Sequence, residues 1–477
     1  MKSSWPGAVS AAPEFKRARE AVCEEPPNIL PPQESAASWR SNFAWALSGN
    51  VVYAACQWGM VVALAKLGSS FMVGQFSLGL AIATPVLMFA SLQLRAVQAT
   101  DARRQYSFRE YLGLRMITTL IGLTAIAAII AAGSYQRGTA MVILAVAMIK
   151  GIEALSDIFY GLFQLNDRLD QIGKSMMFRG VISVIVLSVG LYFMRNIVAA
   201  IVLLATAWCA VLLGFDARRG RRFAPVTPDR GEGSEPHRNW RRVWPKFSLL
   251  RQWKLVRLSL PLGIVMTLVS LNLSLPRLFV HASLGEHQLG IFSAMAYTTV
   301  AVATFSDALG HSMIPRMSRF YADGNVAAFR SSLAKLVAIG GAFGLAGFAA
   351  AQLFGGRLLR ILFTPEYAAH AGVFLWLVAA AGISCIASLL HYGITSARCF
   401  AIQVPMFVLV AGTNALACFW LVPSSGLRGA ALAMVIAACV HLTVAASILL
   451  YLICSHAKHA AGREASEICF DNWEPGL

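Results

Sequence analysis

LGSSFMVGQFS, residues 67–77, and LGEHQLGIFS, residues 284–293, are the two stretches on which the reading of the fold turns. Each opens on Leu-Gly, reaches a second glycine (Gly74, Gly290), closes on Phe-Ser and leads into a long apolar run. A second echo lies downstream. Ser107-Phe108-Arg109 precedes one apolar run and Ala328-Phe329-Arg330 precedes another. Gly74 to Gly290 is 216 residues and Phe108 to Phe329 is 221, so the register drifts by a short insertion. The chain reads as two related halves.

Composition says what the halves are made of. Of 477 residues, 57% are hydrophobic and 13% charged, with a mean hydropathy of +0.63. Soluble domains carry about 25% charged residues. The chain therefore reads as an all-α polytopic membrane protein. Its net charge of +17 raises the possibility of nucleic acid, but inner loops of membrane proteins collect Lys and Arg. Nine cysteines show neither CxxC nor metal-ligand spacing with His. No metal or cofactor is expected, nor a cleavable signal peptide. The first 41 residues are polar and proline-rich and read as a disordered tail.

A spanning helix needs roughly 20 apolar residues. Twelve spans fit: 42–65, 74–94, 112–133, 139–162, 176–194, 196–215, 258–282, 290–314, 331–353, 371–393, 401–421 and 428–454. With the N-terminus inside, the inner segments and the helix ends beside them hold 5, 5, 3, 12, 4, 1 and 2 Lys or Arg, together 32 of the 40. Both termini are then cytoplasmic. The expected organisation is a tail (1–41), a six-helix lobe (42–215), a basic cytoplasmic loop (216–257), a second six-helix lobe (258–454) and a cytoplasmic C-terminal tail (455–477). The loop begins DARRGRRFAPVTPDRGEGSEPHR, which reads as disordered. It continues NWRRVWPKFSLLRQWK, where Trp240, Trp244 and Trp253 among cations suit a segment on the inner headgroup layer. Six helices against six, in the same orientation, is a transporter architecture with its site between the lobes.

Polar groups inside spans are costly and mark cavities or internal pairs. In the fourth span Lys150, Glu153 and Asp157 share one face, with Gln164 in line. The face reads either as a cavity wall, with Lys150 on an anion or an acid titrating, or as a Lys150–Glu153 pair satisfying itself. The first span steps through Asn42, Trp45, Gly49, Tyr53 and Gln57, with Asn50 beside them. Those groups suit sugars and suit interhelical hydrogen bonds equally. The seventh span carries SLPRLFV, residues 274–280. Pro276 should break the helix and free a carbonyl, tolerated where the helix lines a cavity or is buried in protein. Arg277 either snorkels or grips a phosphate bidentately near the outer mouth. In the eighth span Asp307, with His311 one turn on, either neutralises a cation from a neighbouring helix or carries a coupling proton. No Walker loop, HExxH or GxSxG is present, so an enzyme is not expected.

The stretches SNFAWALSGNVVYAACQWGMVVALAKLGSSFMVGQFSLGLAIATP (41–85), KGIEALSDIFYGLFQLNDRLDQIGKSMMFRG (150–180) and SLPLGIVMTLVSLNLSLPRLFVHASLGEHQLGIFSAMAY (259–297) resemble the Wzx-like polysaccharide flippases of the MOP superfamily. The resemblance covers most of residues 40–340. It implies two six-helix bundles in a MATE-like V around a central cavity, in a bacterial inner membrane. It implies a lipid substrate, an oligosaccharide on a polyprenyl pyrophosphate, turned from inner to outer leaflet by alternating access. Candidate substrate contacts are Arg277, Lys150, Asn42, Asn50, Tyr53 and Gln57; candidate coupling acids are Glu153, Asp157 and Asp307. Expected partners are the lipid-linked oligosaccharide, membrane lipids and a polysaccharide polymerase or export machinery, and no nucleic acid. ALGHSMIPRMSRFYADGN (308–325) also resembles the peptidoglycan-precursor flippases. The arginine they carry early in the eighth helix is absent from Ala296-Tyr297-Thr298-Thr299. Rival readings are an ion-coupled multidrug antiporter of the same fold and a membrane component of polysaccharide polymerisation or assembly.

Overall fold

The computed structural model describes residues 39–101, 104–224, 243–397 and 402–471. The tail expected at 1–41 lies almost wholly outside them, as do Trp240 and the middle of the basic loop (225–242). Every described element is helical. The first half comprises α1 (Trp39–Leu67), α2 (Ser70–Ser91), the short α3 (Leu94–Thr100), α4 (Phe108–Ala132), α5 (Arg137–Leu165), α6 (Leu169–Met194) and α7 (Ile197–Val211). A π-turn, Leu212–Ala217, prolongs α7 into α8 (Arg218–Phe223). The second half comprises α9 (Leu249–Thr298), α10 (Val300–Ala322), α11 (Val326–Leu362), the one-turn α12 (Pro365–Ala368), α13 (Ala371–Ser396) and α14 (Gln403–Asp471).

Among the described residues nine helical stretches are long and apolar enough to cross a membrane. Two of them fold back on themselves at a glycine in the left-handed region, Gly285 (φ +81°) and Gly426 (φ +58°). The guanidinium of Arg277 lies 5.3 Å from the ring of Tyr297. Twenty residues of straight helix span about 30 Å, so α9 must reverse between them. Glycine is needed at both reversals because an L side chain pays for positive φ. Splitting these two stretches gives eleven crossings. α5, 29 residues long and carrying Lys150, Glu153 and Asp157, makes a twelfth.

The break in the seventh span differs from the expectation. Pro276 keeps helical dihedrals, and the chain departs from helix only at Gly285. Proline still removes the hydrogen bond to the carbonyl four residues back, which is that of Asn272. Asn414 on α14 supplies the missing donor: its Nδ2 reaches Asn272 O at 2.9 Å and Asn272 Oδ1 at 2.8 Å. The helix stays intact because a neighbouring helix satisfies the freed group. The start of the basic loop also differs. Residues 218–223, read as disordered, form α8, because the π-turn carries the helix onward.

Three apolar cores organise the helices. One draws on both halves, from Leu64, Val73 and Phe76 through Phe292 and Met295 to Val422 and Leu427. It lies at the end away from the basic connections. At the basic end lie two further cores, one around Tyr111, Phe159 and Phe163 that also takes in Leu255 of α9, the other around Met317, Phe329 and Leu389. Leu120, Ile121, Phe193, Leu345 and Leu353 stand exposed around the bundle. A monomer in water rarely shows so much exposed apolar surface, so lipid is the solvent this surface fits.

The repeated motifs meet where the halves join. A Cβ on Gly74 would run into the carbonyl of Glu286, and one on Gly290 into the carbonyl of Ser70. Ser70 and Glu286 are themselves 216 residues apart. The contact is therefore isologous within one chain, as at a two-fold interface. The second echo is less exact. Phe108 is the first residue of α4 and Phe329 the fourth of α11, each buried in its own basic-end core.

Candidate functional site

A small cleft of about 60 Å³ lies mid-bundle. Its polar lining is Gln57 from α1, Lys150 from α5, Trp208 from α7 and Tyr297 from the end of α9, with Met60 and Phe76 among the apolar walls. The space is well below what a drug-sized ligand fills. It accommodates a phosphate-sized headgroup rather than a whole oligosaccharide.

Two expected residues, Gln57 and Lys150, line this cleft. A third, Arg277, packs its guanidinium on the face of Tyr297 and so stands at the cleft's edge. Tyr297 is the residue sequence reasoning missed. It was noted for lacking an arginine, yet it is the platform on which Arg277 rests.

The choice left open for Lys150 is decided. Its Nζ lies 2.7 Å from Glu153 Oε2, and Tyr53 donates its hydroxyl to Glu153 Oε1 at 3.0 Å. Glu153 thus takes two donors, one ammonium and one phenol. Lys150 keeps its remaining N–H groups for the cleft, since an ammonium has three donors.

Other expected residues lie elsewhere. Asn42 donates to the backbone of Asp167 at 2.7 Å and ties the start of α1 to the α5–α6 turn. Asn50 is exposed and donates to Ala46 O of its own helix. Asp157 bridges Arg95 (3.1 Å) and Arg115 (3.3 Å), two cations from α3 and α4. Its charge is spent on holding those helices to α5 near the basic end. Asp307 accepts from Tyr392 of α13 at 2.9 Å, and His311 Nε2 is 3.3 Å from the same hydroxyl.

A further charged pair escaped notice because its members lie 37 residues apart and at the edges of spans. Arg179 of α6 meets Asp216 of the π-turn at 3.1 Å, with 2% and 0% of their side chains exposed. Arg179 also bonds Ser156 of α5, and its guanidinium lies 4.9 Å from the Trp208 ring. Ser175 donates to the other oxygen of Asp216 at 2.6 Å. One salt bridge locks three helices and backs Trp208, a wall of the cleft.

An accounting of charge separates the acids. Within the spans, Glu153 is paired with Lys150, Asp157 with Arg95 and Arg115, and Asp216 with Arg179. Among the described residues Asp307 has no Lys or Arg within ion-pair distance; its partners are a phenol and, through it, an imidazole.

No protein-family model matches the sequence. Over 397 residues, 83% of this chain and 95% of the relative, it is 26% identical to the capsular polysaccharide biosynthesis protein CapF of Staphylococcus aureus. Its fold superposes on an inward-facing multidrug resistance MATE family transporter of the MOP superfamily with a TM-score of 0.65, at 13% identity, covering 87% of this chain and 99% of that one. It superposes on the lipid II flippase MurJ in an inward closed conformation with a TM-score of 0.66, at 11% identity, covering 91% and 94%. The chain has the MATE/MOP transporter fold.

Proposed function

We propose that the chain carries a polyprenyl-pyrophosphate-linked oligosaccharide, a polysaccharide repeat unit, from the inner to the outer leaflet of a bacterial inner membrane by alternating access. The observation that carries this reading is the meeting of Lys150, Gln57 and Tyr297 in one cleft, with Arg277 stacked at its edge. A pyrophosphate crossing hydrocarbon needs cations and donors in place of water, and an unsolvated charge is expensive there. Arg277 offers a planar fork for phosphate oxygens and Lys150 a mobile point charge. The amide of Gln57 suits a first sugar. The lipid tail stays in the bilayer, so the cleft has only the headgroup to enclose. The CapF relative, whose name places it in capsular polysaccharide biosynthesis, supports the same substrate class.

The test is the pool of lipid-linked oligosaccharide in a deletion strain, with sidedness probed by an impermeant sugar-modifying reagent. The expected outcome is accumulation on the inner leaflet, relieved by the wild-type gene. A normal pool with normal export would overturn the reading.

Asp307 supports a role for an ion in the cycle. A carboxylate within a span and without a cationic partner calls for a proton or cation of its own. Asp307→Asn keeps the bond to Tyr392 and removes the charge. It is expected to slow export at least about tenfold with unchanged protein level, about 1.4 kcal/mol or more of lost coupling energy. The same residue favours the second reading, a drug/cation antiporter of this fold. Drug resistance on overexpression, lost in Asp307→Asn, together with a normal lipid-linked pool, would establish that instead.

A further inference from the structure

The end where the halves join is closed by more than apolar packing. Thr139 at the start of α5 is wholly buried, and its hydroxyl donates to Glu286 Oε1 of α9 at 2.6 Å. Gln75 of α2, itself 6% exposed, donates its Nε2 to the oxygen of Thr139 at 2.9 Å. The hydroxyl proton is spent on the carboxylate, so Gln75 fills a lone pair and the row runs one way, Gln75 to Thr139 to Glu286. Gln75 and Thr139 belong to the first half and Glu286 to the second. On its own side Glu286 has only His281, whose Nε2 is 4.0 Å away and whose ring lies 5.9 Å from that of Tyr135.

This row sits beside the crossing of Gly74 and Gly290, where backbone meets backbone. Polar contacts continue outward from it. Lys66 Nζ reaches Ile361 O at 2.7 Å, Ser70 donates to Glu366 at 3.4 Å, and His287 meets Glu366 at 2.7 Å. The crossing brings the helices close enough for the row to form; any side chain at either glycine would hold them apart.

We propose that Thr139 and Glu286 are the catch that holds this mouth shut, with Gly74 and Gly290 as its seat. An apolar seal resists parting because every opening exposes oil to water. A hydroxyl–carboxylate bond gives way more readily, since water entering the mouth satisfies both groups at once. The row therefore closes the mouth specifically and releases it reversibly, which rocking of one half against the other requires. The inference rests on the outward orientation of this end, as in the function proposed above.

The experiment uses the full chain in intact cells and an impermeant thiol reagent. Ser70→Cys places a reporter in the seat, and Leu67→Cys, 46% exposed at the same end, is the orientation control. The parent chain, with its nine cysteines, supplies the blank. The expected result is slow labelling at position 70, at least about tenfold faster when Thr139→Val or Glu286→Ala is added, and slow again with Thr139→Ser, which keeps the hydroxyl. Labelling at 70 as fast as at 67 without those changes, or unchanged by both, would overturn the catch. If position 67 reacts only in inside-out vesicles, the orientation is reversed and the same comparison is read there. The readout needs no substrate, so its failure and the failure of the proposed transport function are told apart.

Discussion

Arg277→Ala is expected to cut export of the polymer by about 30- to 150-fold while leaving the protein in the membrane at its normal level. The figure follows from losing charge-assisted hydrogen bonds, about 2–3 kcal/mol at the phosphate, at about 1.4 kcal/mol per tenfold. Arg277 is half-buried and, among the described residues, packs on Tyr297 rather than in an ion pair. Its removal therefore strands no acid, which is why stability should survive. Arg277→Lys keeps the charge but loses the fork and the stacking, and should fall between the two. Tyr297→Leu, which removes the platform and keeps the arginine, should weaken export by a smaller factor. The lipid-linked pool on the inner leaflet, measured in each strain, checks all three. Full export from Arg277→Ala would remove this residue from the site.

Arg179→Met is expected to have the largest effect on stability. It leaves Asp216 charged, fully buried and without its cation. Breaking a buried pair from one side costs about 3–5 kcal/mol, whereas replacing both partners by apolar residues of similar size is often neutral or better. Arg179→Met alone should therefore sharply reduce folded protein in the membrane, and Arg179→Met with Asp216→Leu should recover most of it. Thermal unfolding in detergent and membrane yield measure this directly. If the double variant proves as unstable as the single, the pair's worth lies in the bonds to Ser156 and Ser175 and the packing on Trp208, rather than in charge balance. The contrast with Arg277 is instructive: both are arginines of spanning helices, but only one has an acid that depends on it.

Much was legible in the sequence because a membrane imposes its demands on every residue of a span in turn. Length, apolarity and the distribution of Lys and Arg determined the helices, and the doubled Leu-Gly…Gly…Phe-Ser motif determined that there are two halves. Those signals are local or strictly periodic, so a single sequence records them. What only the tertiary structure decided is which helix faces which. Lys150 and Gln57 share a cleft because α1 and α5 converge on it, whereas Asn42 and Asn50, on the same stripe as Gln57, end on backbone carbonyls near the basic end or on their own helix. Asp157, a candidate coupling acid by sequence, is paired because α3 and α4 bring Arg95 and Arg115 to it. Pro276 looked like a break until α14 brought Asn414 to the carbonyl of Asn272. The two repeated glycines marked the halves in the sequence, but that they touch one another required the fold. In each case the sequence carries the polar group and its cost, while its partner is set by packing between helices far apart in the chain.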